Sequence, residues 1–196
     1  MKVLHIDSSI LGQGSATRGL TREIVARLKS AHPDAKVTHI DLVAEELPHL
    51  SHKSLARSDE GEAARNALAL EQFLGADVLV IGAPIYNFSI PSQLKAWIDR
   101  ITVAGKTFRY TANGPEGLAG GKEVIVAMAR GSISGADRKG EFGESYLKFL
   151  FAFLGITKLR FVRAEGLAIS PEHREASLSA ARAAIPSATA LERLAA

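Results

Sequence analysis

Three stretches of the chain carry residue types that could act together on one ligand. Ser8-Ser9, followed by Ser15-Ala16-Thr17, offers hydroxyls and backbone amides at the entry to a helix. Such groups suit a single phosphate monoester, held by neutral donors and the helix dipole rather than by a lysine. Pro84-Ile85-Tyr86-Asn87-Phe88 sets two aromatic rings around an amide, which could wall a flat ring and bond to its edge. Ala129-Arg130-Gly131-Ser132 adds backbone donors and a cation, groups that would stabilise a ring gaining negative charge on reduction. Blander readings exist for each: a helix cap and turn for the first, a loop packed on a neighbour for the second. Gly12-Gln13-Gly14 resembles the start of a dinucleotide fingerprint, but Thr17 stands at the third glycine position and only Asp34 or Asp41 could serve as its acid. No glycine-lysine-serine/threonine run follows, so an NTPase phosphate loop is absent.

The elements that must position these loops can be read from periodicity. Lys2–Asp7, Lys36–Asp41, Asp77–Ala83, Lys122–Met128 and Lys158–Ala164 read as strands, the middle one continuously apolar and therefore buried on both faces. Leu20, Ile24, Val25 and Leu28 make one apolar stripe of a helix that ends near Ala31-His32-Pro33. Leu94, Trp97, Ile98 and Ile101 make another, behind Pro91 at its first turn. Further helices are expected at 63–75, at 146–154 and from Pro171 onward, the last capped by Ser170 and ended or kinked at Pro186. Residues 42–62 read as a long, partly helical excursion, and Thr107–Thr111 with Asn113-Gly114-Pro115 as a hairpin arm and turn. Strands alternating with helices, without repeat or linker, predict one domain over 1–196: an α/β fold with a doubly wound five-stranded parallel sheet and helices on both faces. The three loops then share one edge of the sheet. One monoester plus one planar heterocycle describes FMN.

Composition narrows the rest. The chain has 196 residues, a formal net charge of +3 and no cysteine, which excludes disulfides and thiol catalysis. Its basic residues are scattered, so no nucleic-acid partner is expected. No apolar run approaches the length of a membrane span, and a cytoplasmic location is the expectation. His49 and His52 stand three apart with no third ligand in view, so no metal site is expected. Asp7, Asp41 and Asp77 at strand ends could suggest a phosphoacceptor, but the paired acids and lysine of such a domain are not apparent. Arg57 and Arg65 could reach a substrate from the excursion. The helix Tyr146–Leu154 is apolar on nearly all sides, and Trp97, Phe108 and Tyr110 also call for cover, so a homodimer is expected.

Pro84-Ile-Tyr-Asn-Phe88 before Gln93-Leu94-Lys95, Phe108-Arg-Tyr-Thr111 with Asn113-Gly-Pro-Glu-Gly117, the opening Ser8-Ser9 and Ala164-Glu-Gly166 together resemble the FMN-dependent NADH azoreductases, quinone reductases of flavodoxin-like fold. The resemblance runs from the first strand to the last helix. It implies that Ser9, Ser15, Ala16 and Thr17 bind the FMN phosphate. Pro84, Ile85, Tyr86, Asn87 and Phe88 would lie along the isoalloxazine. Ala129, Arg130, Gly131 and Ser132 would contact its pyrimidine end, where the family often reads Ser-Arg-Gly-Gly. A histidine frequent just after that loop in relatives is missing, with Ser134 nearby. Phe108, Tyr110 and Phe161 would line the substrate pocket. NADH or NADPH would reduce the flavin, and quinones or azo compounds would then take the electrons in the same flat pocket, with no side chain as catalyst and with the site at a homodimer interface. The competing expectations are a flavodoxin-type electron carrier, against which a net positive charge counts, and an FMN-free regulatory module.

Overall fold

The computed structural model describes residues 1–56, 58–134 and 141–192. Its main sheet has five parallel strands: β1 (Lys2–Asp7), β2 (Lys36–Asp41), β3 (Val78–Pro84), β6 (Glu123–Ala129) and β7 (Lys158–Ala164), in the order β2-β1-β3-β6-β7. The central β3 and β6 are buried along their whole length, as runs that are apolar but for Glu123 require, whereas the edge strands β2 and β7 are largely exposed or half-buried. One face is covered by α3 (Glu60–Gly75), α4 (Ser92–Ile101) and α5 (Gly143–Phe153). The other is covered by α1 (Ala16–Ala31), α6 (Pro171–Ala183) and α7 (Ala188–Glu192). A short α2 (His52–Ala56) lies within the excursion after β2. The doubly wound arrangement expected from the strand pattern is thus present, with helices on both faces.

Outside the sheet, β4 (Phe108–Thr111) and β5 (Gly114–Gly117) form an antiparallel hairpin, Phe108 facing Gly117 across the pair. The hairpin crosses the end of α5 so closely that a Cβ on Gly117 would lie 2.1 Å from the Gly155 amide nitrogen. Only glycine fits there.

Three expectations are corrected. Helix α5 begins at Gly143 rather than Tyr146, because the Glu141 carboxylate accepts the Glu144 amide at 2.8 Å and serves as its start signal. Helix α3 begins at Glu60, capped by Asp59, whose side chain accepts the Glu62 amide at 2.8 Å. Trp97 needs no cover from outside its own chain: it is fully buried, with Phe73 of α3 packed edge-on at 6.0 Å.

Candidate functional site

The order of the sheet reverses between β1 and β3, and open α/β sheets bind ligands at the carboxyl ends of strands beside such a reversal. There the loops after β1, β3, β6 and β7 enclose a cleft of about 220 Å³. Its walls include Ser9, Ser15, Ala16 and Thr17, then Pro84, Ile85 and Tyr86, then Ala129, Arg130 and Gly131. Most of the residues singled out in the sequence are therefore brought together.

The first wall is built from hydroxyls and helix amides. Ser8 Oγ donates to the Gly82 carbonyl at 2.6 Å and pins the end of β1 to β3. Ser9 Oγ stands 3.2 Å from the Tyr86 hydroxyl, so the first and second loops are joined across the cleft. Ser15 caps α1, its Oγ accepting the Arg18 amide at 3.3 Å and lying 3.1 Å from Thr17 Oγ1. The amides of Ala16 and Thr17, at the first two helical positions, have no acceptor within the helix and face an anion-favouring dipole end. Arg18 turns away from this wall. It grips Asp41 through two bonds of 2.7 Å and donates to the Ser9 carbonyl at 2.9 Å. The Arg18 hydrogen bonds hold the Asp41 carboxyl below its usual range.

The second wall ends in a turn with an unusual backbone. The Tyr86 and Ser89 amides and carbonyls bond to each other at 3.0 and 3.1 Å, closing a two-residue turn. Both central residues have positive φ, 48° at Asn87 and 73° at Phe88, as a type I′ turn demands. Asn tolerates that region and a phenylalanine does not. Ile85 and Tyr86 face the cleft, whereas Asn87 and Phe88 stand exposed at the turn's tip and do not line it.

In the third wall the Arg130 amide is spent on the Ala164 carbonyl at 3.0 Å, so it is not the free donor expected. The Arg130 side chain bonds through Nη1 to Ser134 Oγ, and Ser134 in turn donates twice to Glu165 at 2.9 Å. Its Nε is buried without a hydrogen-bond partner among the described residues. Gly131 lines the cleft, where an added Cβ would come within 3.1 Å of the Ala168 methyl, while Ser132 does not line it.

Some site residues escaped the sequence reading. Leu167 and Ala168, after β7, and Arg174 of α6 also line the cleft. Arg174 Nη2 reaches the Gly14 carbonyl at 3.5 Å and brings a cation beside the Ser15–Thr17 turn. Nothing local marks these residues; they meet the first loop across about 160 positions of chain, and only the strand order brings them there.

Phe108, Tyr110 and Phe161 do not line this cleft. Phe108 and Tyr110 meet edge to face on the hairpin, and Phe161 lies within β7 beneath Lys148 and Arg163. Arg65 lines a separate cavity of about 400 Å³ against Trp97 and Leu68, and Arg57 lies outside the described residues. The three aspartates form no acidic cluster: Asp7 bonds Thr21 and His39, Asp41 bonds Arg18, and Asp77 accepts the Lys2 amide at the opposite end of the sheet. His49 and His52 are exposed and belong to no group of three possible ligands among the described residues.

Among the described residues no Asp, Glu, His or Lys lines the cleft. It holds no nucleophile–base pair, so its chemistry must come from what it binds. Unused amides beside two hydroxyls suit a monophosphate, and the Arg130 cation in the facing wall suits an electron-rich ring. The donor set fits FMN. These features define a mononucleotide-binding protein of the doubly wound α/β class.

The chain belongs to the family described as having the flavodoxin-like fold, whose model matches residues 1–188. It is 55% identical over 185 residues to the FMN-dependent NADH:quinone oxidoreductase 1 of Xanthomonas euvesicatoria pv. vesicatoria, covering 94% of this chain and 95% of that one. It is 52% identical over 196 residues to the FMN-dependent NADH:quinone oxidoreductase of Stenotrophomonas maltophilia, covering 100% of both. Among solved structures it superposes with a TM-score of 0.87 on an FMN-dependent NADH-azoreductase from Bacillus anthracis in complex with FMN, at 29% identity and covering 100% and 99% of the two chains.

Proposed function

We infer that the chain is an FMN-dependent NADH:quinone oxidoreductase that also accepts azo compounds. The observation that carries this is a cleft at the β1/β3 reversal that sets unused helix amides and hydroxyls opposite Arg130, with no Asp, Glu, His or Lys among its described lining residues. Full-length relatives that carry this name support it. FMN bound there supplies a two-electron relay from a reduced nicotinamide, NADH or NADPH, to a quinone or azo acceptor. The residues bind and orient. Ser9, Ser15, Ala16 and Thr17 would hold the phosphate, and Arg174 would add charge at its rim. Pro84, Ile85 and Tyr86 would wall one side of the ring, Ala129 and Gly131 would leave it room at the β6 end, and Arg130 would set a positive charge beside it. Asn87, Phe88 and Ser132 would meet the ring or the acceptor from the turn tips.

The working form in this reading is a homodimer of one FMN-binding domain per chain, with Phe108, Tyr110 and Phe161 serving the acceptor. Exposed aromatics support a second copy as cover: Phe88 at 64%, Tyr110 at 77%, Phe142 at 61% and Phe149 at 73% exposure. No helix among the described residues is long and apolar enough to cross a membrane, and the cytoplasm, where reduced nicotinamide is available, is the proposed location.

Two measurements test the reading. The purified protein should bind FMN one to one, bleach under NADH and recover its colour on adding a quinone. Steady-state NADH oxidation should require both FMN and the acceptor. Tight FMN binding without turnover would leave only an electron carrier, and no FMN binding would sink the assignment altogether.

A further inference from the structure

Beneath the first half of α1, β1 and β2 place together three metal-binding side chains, none of which lines the cleft. Their parallel register sets His5 beside His39 and Asp7 beside Asp41. Alternation along β1 puts His5 and Asp7 on the same face. Asp7 Oδ2 lies 3.3 Å from His5 Nε2 and 3.0 Å from His39 Nε2, and the three atoms all fall within 4.8 Å of one another. The imidazoles are tilted, with centroids 4.4 Å apart.

A protein-only account leaves this cluster short of partners. Asp7 Oδ1 accepts the Thr21 hydroxyl at 2.9 Å, so that oxygen is satisfied and the carboxylate is fixed in orientation. Oδ2 faces both imidazole nitrogens. It forms a well-directed bond with His39 alone, and His5 Nε2 is buried with no hydrogen-bond partner among the described residues. A buried ring nitrogen in ion-pair contact with a carboxylate oxygen at 3.3 Å, but without a well-directed bond to it, has room for a further group. Arg18 Nη1, 3.9 Å from Oδ2, does not fill that need, because its guanidinium is committed to Asp41 and the Ser9 carbonyl.

The spacing matches tetrahedral coordination. Bonds of about 2.0–2.2 Å to nitrogen and oxygen put neighbouring ligand atoms about 3.3–3.5 Å apart, close to the two distances seen here. Two imidazoles and one carboxylate favour zinc-like transition ions over calcium or magnesium. An entry path exists, because His39 sits on the edge strand with its side chain about half exposed, 48%. We propose that His5 Nε2, His39 Nε2 and Asp7 Oδ2 form a binding site for one divalent transition-metal ion of the zinc class, with its remaining position open to solvent beside the edge strand. The ion would clamp β1 to β2 and, through Asp7 and Thr21, to the helix whose first turn lines the cleft.

Isothermal titration of tag-free, FMN-loaded protein with zinc chloride in a non-chelating buffer tests this. One saturable ion per chain is expected, and its binding should raise the thermal unfolding midpoint. His39→Ala removes a half-exposed side chain, so the variant should retain its FMN spectrum; zinc affinity should fall at least about tenfold and the thermal shift should vanish. His49→Ala/His52→Ala should bind zinc as the parent does. Absence of saturable one-to-one binding in the parent overturns the proposal, as does unchanged affinity in His39→Ala. Loss of binding in the His49/His52 variant instead would move the site to the excursion and equally overturn it.

Discussion

Phe88 occupies a backbone conformation that costs a side chain with a Cβ about 1–2 kcal/mol, yet the chain places an aromatic ring there, at φ 73° and largely exposed. Strain of this kind points towards a use. Phe88→Gly should stabilise the FMN-free protein by about 1 kcal/mol, a rise of roughly 2–4 °C in thermal midpoint for a chain of this size, while quinone KM increases. An unchanged midpoint would show that the turn is not strained. The same residue explains why the two-residue turn was not legible: the usual signal is Asn-Gly, and Asn87-Phe88 reads as loop. The residues of the cleft itself were largely legible, because hydroxyls before a helix and aromatics after a buried strand keep their meaning locally. Arg174 was not, since its role depends on α6 passing the first loop. Arg174→Ala should weaken FMN binding by about 1 kcal/mol, as for a half-exposed charge, or about fivefold in Kd by fluorescence titration. Equal affinity would confine Arg174 to its bond with the Gly14 carbonyl.

At the scale of elements, the sheet was readable because β3 and β6 are apolar runs interrupted only by Glu123, and the register of four parallel pairs then places every loop. Helix starts were less so. Asp59 and Glu141 are the signals for α3 and α5, and a glutamate two residues before a helix looks like any surface acid until its bond to Glu144 is seen. The cover over Trp97 comes from Phe73, one helix earlier, and no local period records packing between elements. One contact between elements has a measurable consequence. Glu144 of α5 pairs with Arg163 of β7 at 2.7 Å, and also with Lys148. Burial pushes its carboxyl up, but the Arg163 and Lys148 hydrogen bonds and charges outweigh it and hold the pKa at about 2, below the usual 4.5. A depressed carboxyl stabilises the fold above its unfolded pKa and loses that contribution as pH falls towards the folded one. Stability to urea should therefore decline between about pH 4.5 and pH 2, and Glu144→Gln should decline less steeply over that window. Parallel acid limbs for the two proteins would refute the role.

For the molecule as a whole, the outstanding demand is an aromatic strip whose two ends the described residues leave uncovered. Phe149 stacks near Phe153 at 6.5 Å, Phe153 meets Phe108 at 4.7 Å, and Phe108 meets Tyr110 edge-on at 5.5 Å, linking α5 to the hairpin. Phe153 and Phe108 are packed against the core, whereas Phe149 and Tyr110, at the two ends of the strip, are open. Gly117 holds this arrangement by letting the hairpin press against Gly155, so the strip is rigidly presented rather than a loose loop. Contiguous exposed aromatic surface of this kind usually marks an interface, and a second copy is the occupant that the homodimer reading requires. Phe149 is the residue to change, since it is open in the protomer and its loss should leave the core intact. Phe149→Asp would set a charge at one end of the strip, which a covering subunit would bury unpaired, at a cost of several kcal/mol. Light scattering coupled to size exclusion should show the parent as a dimer and the variant as a folded monomer with weaker FMN binding. A parent that runs as a monomer at micromolar concentration, or a variant that remains a dimer, would place the subunit contact elsewhere and leave the aromatic strip to the acceptor alone.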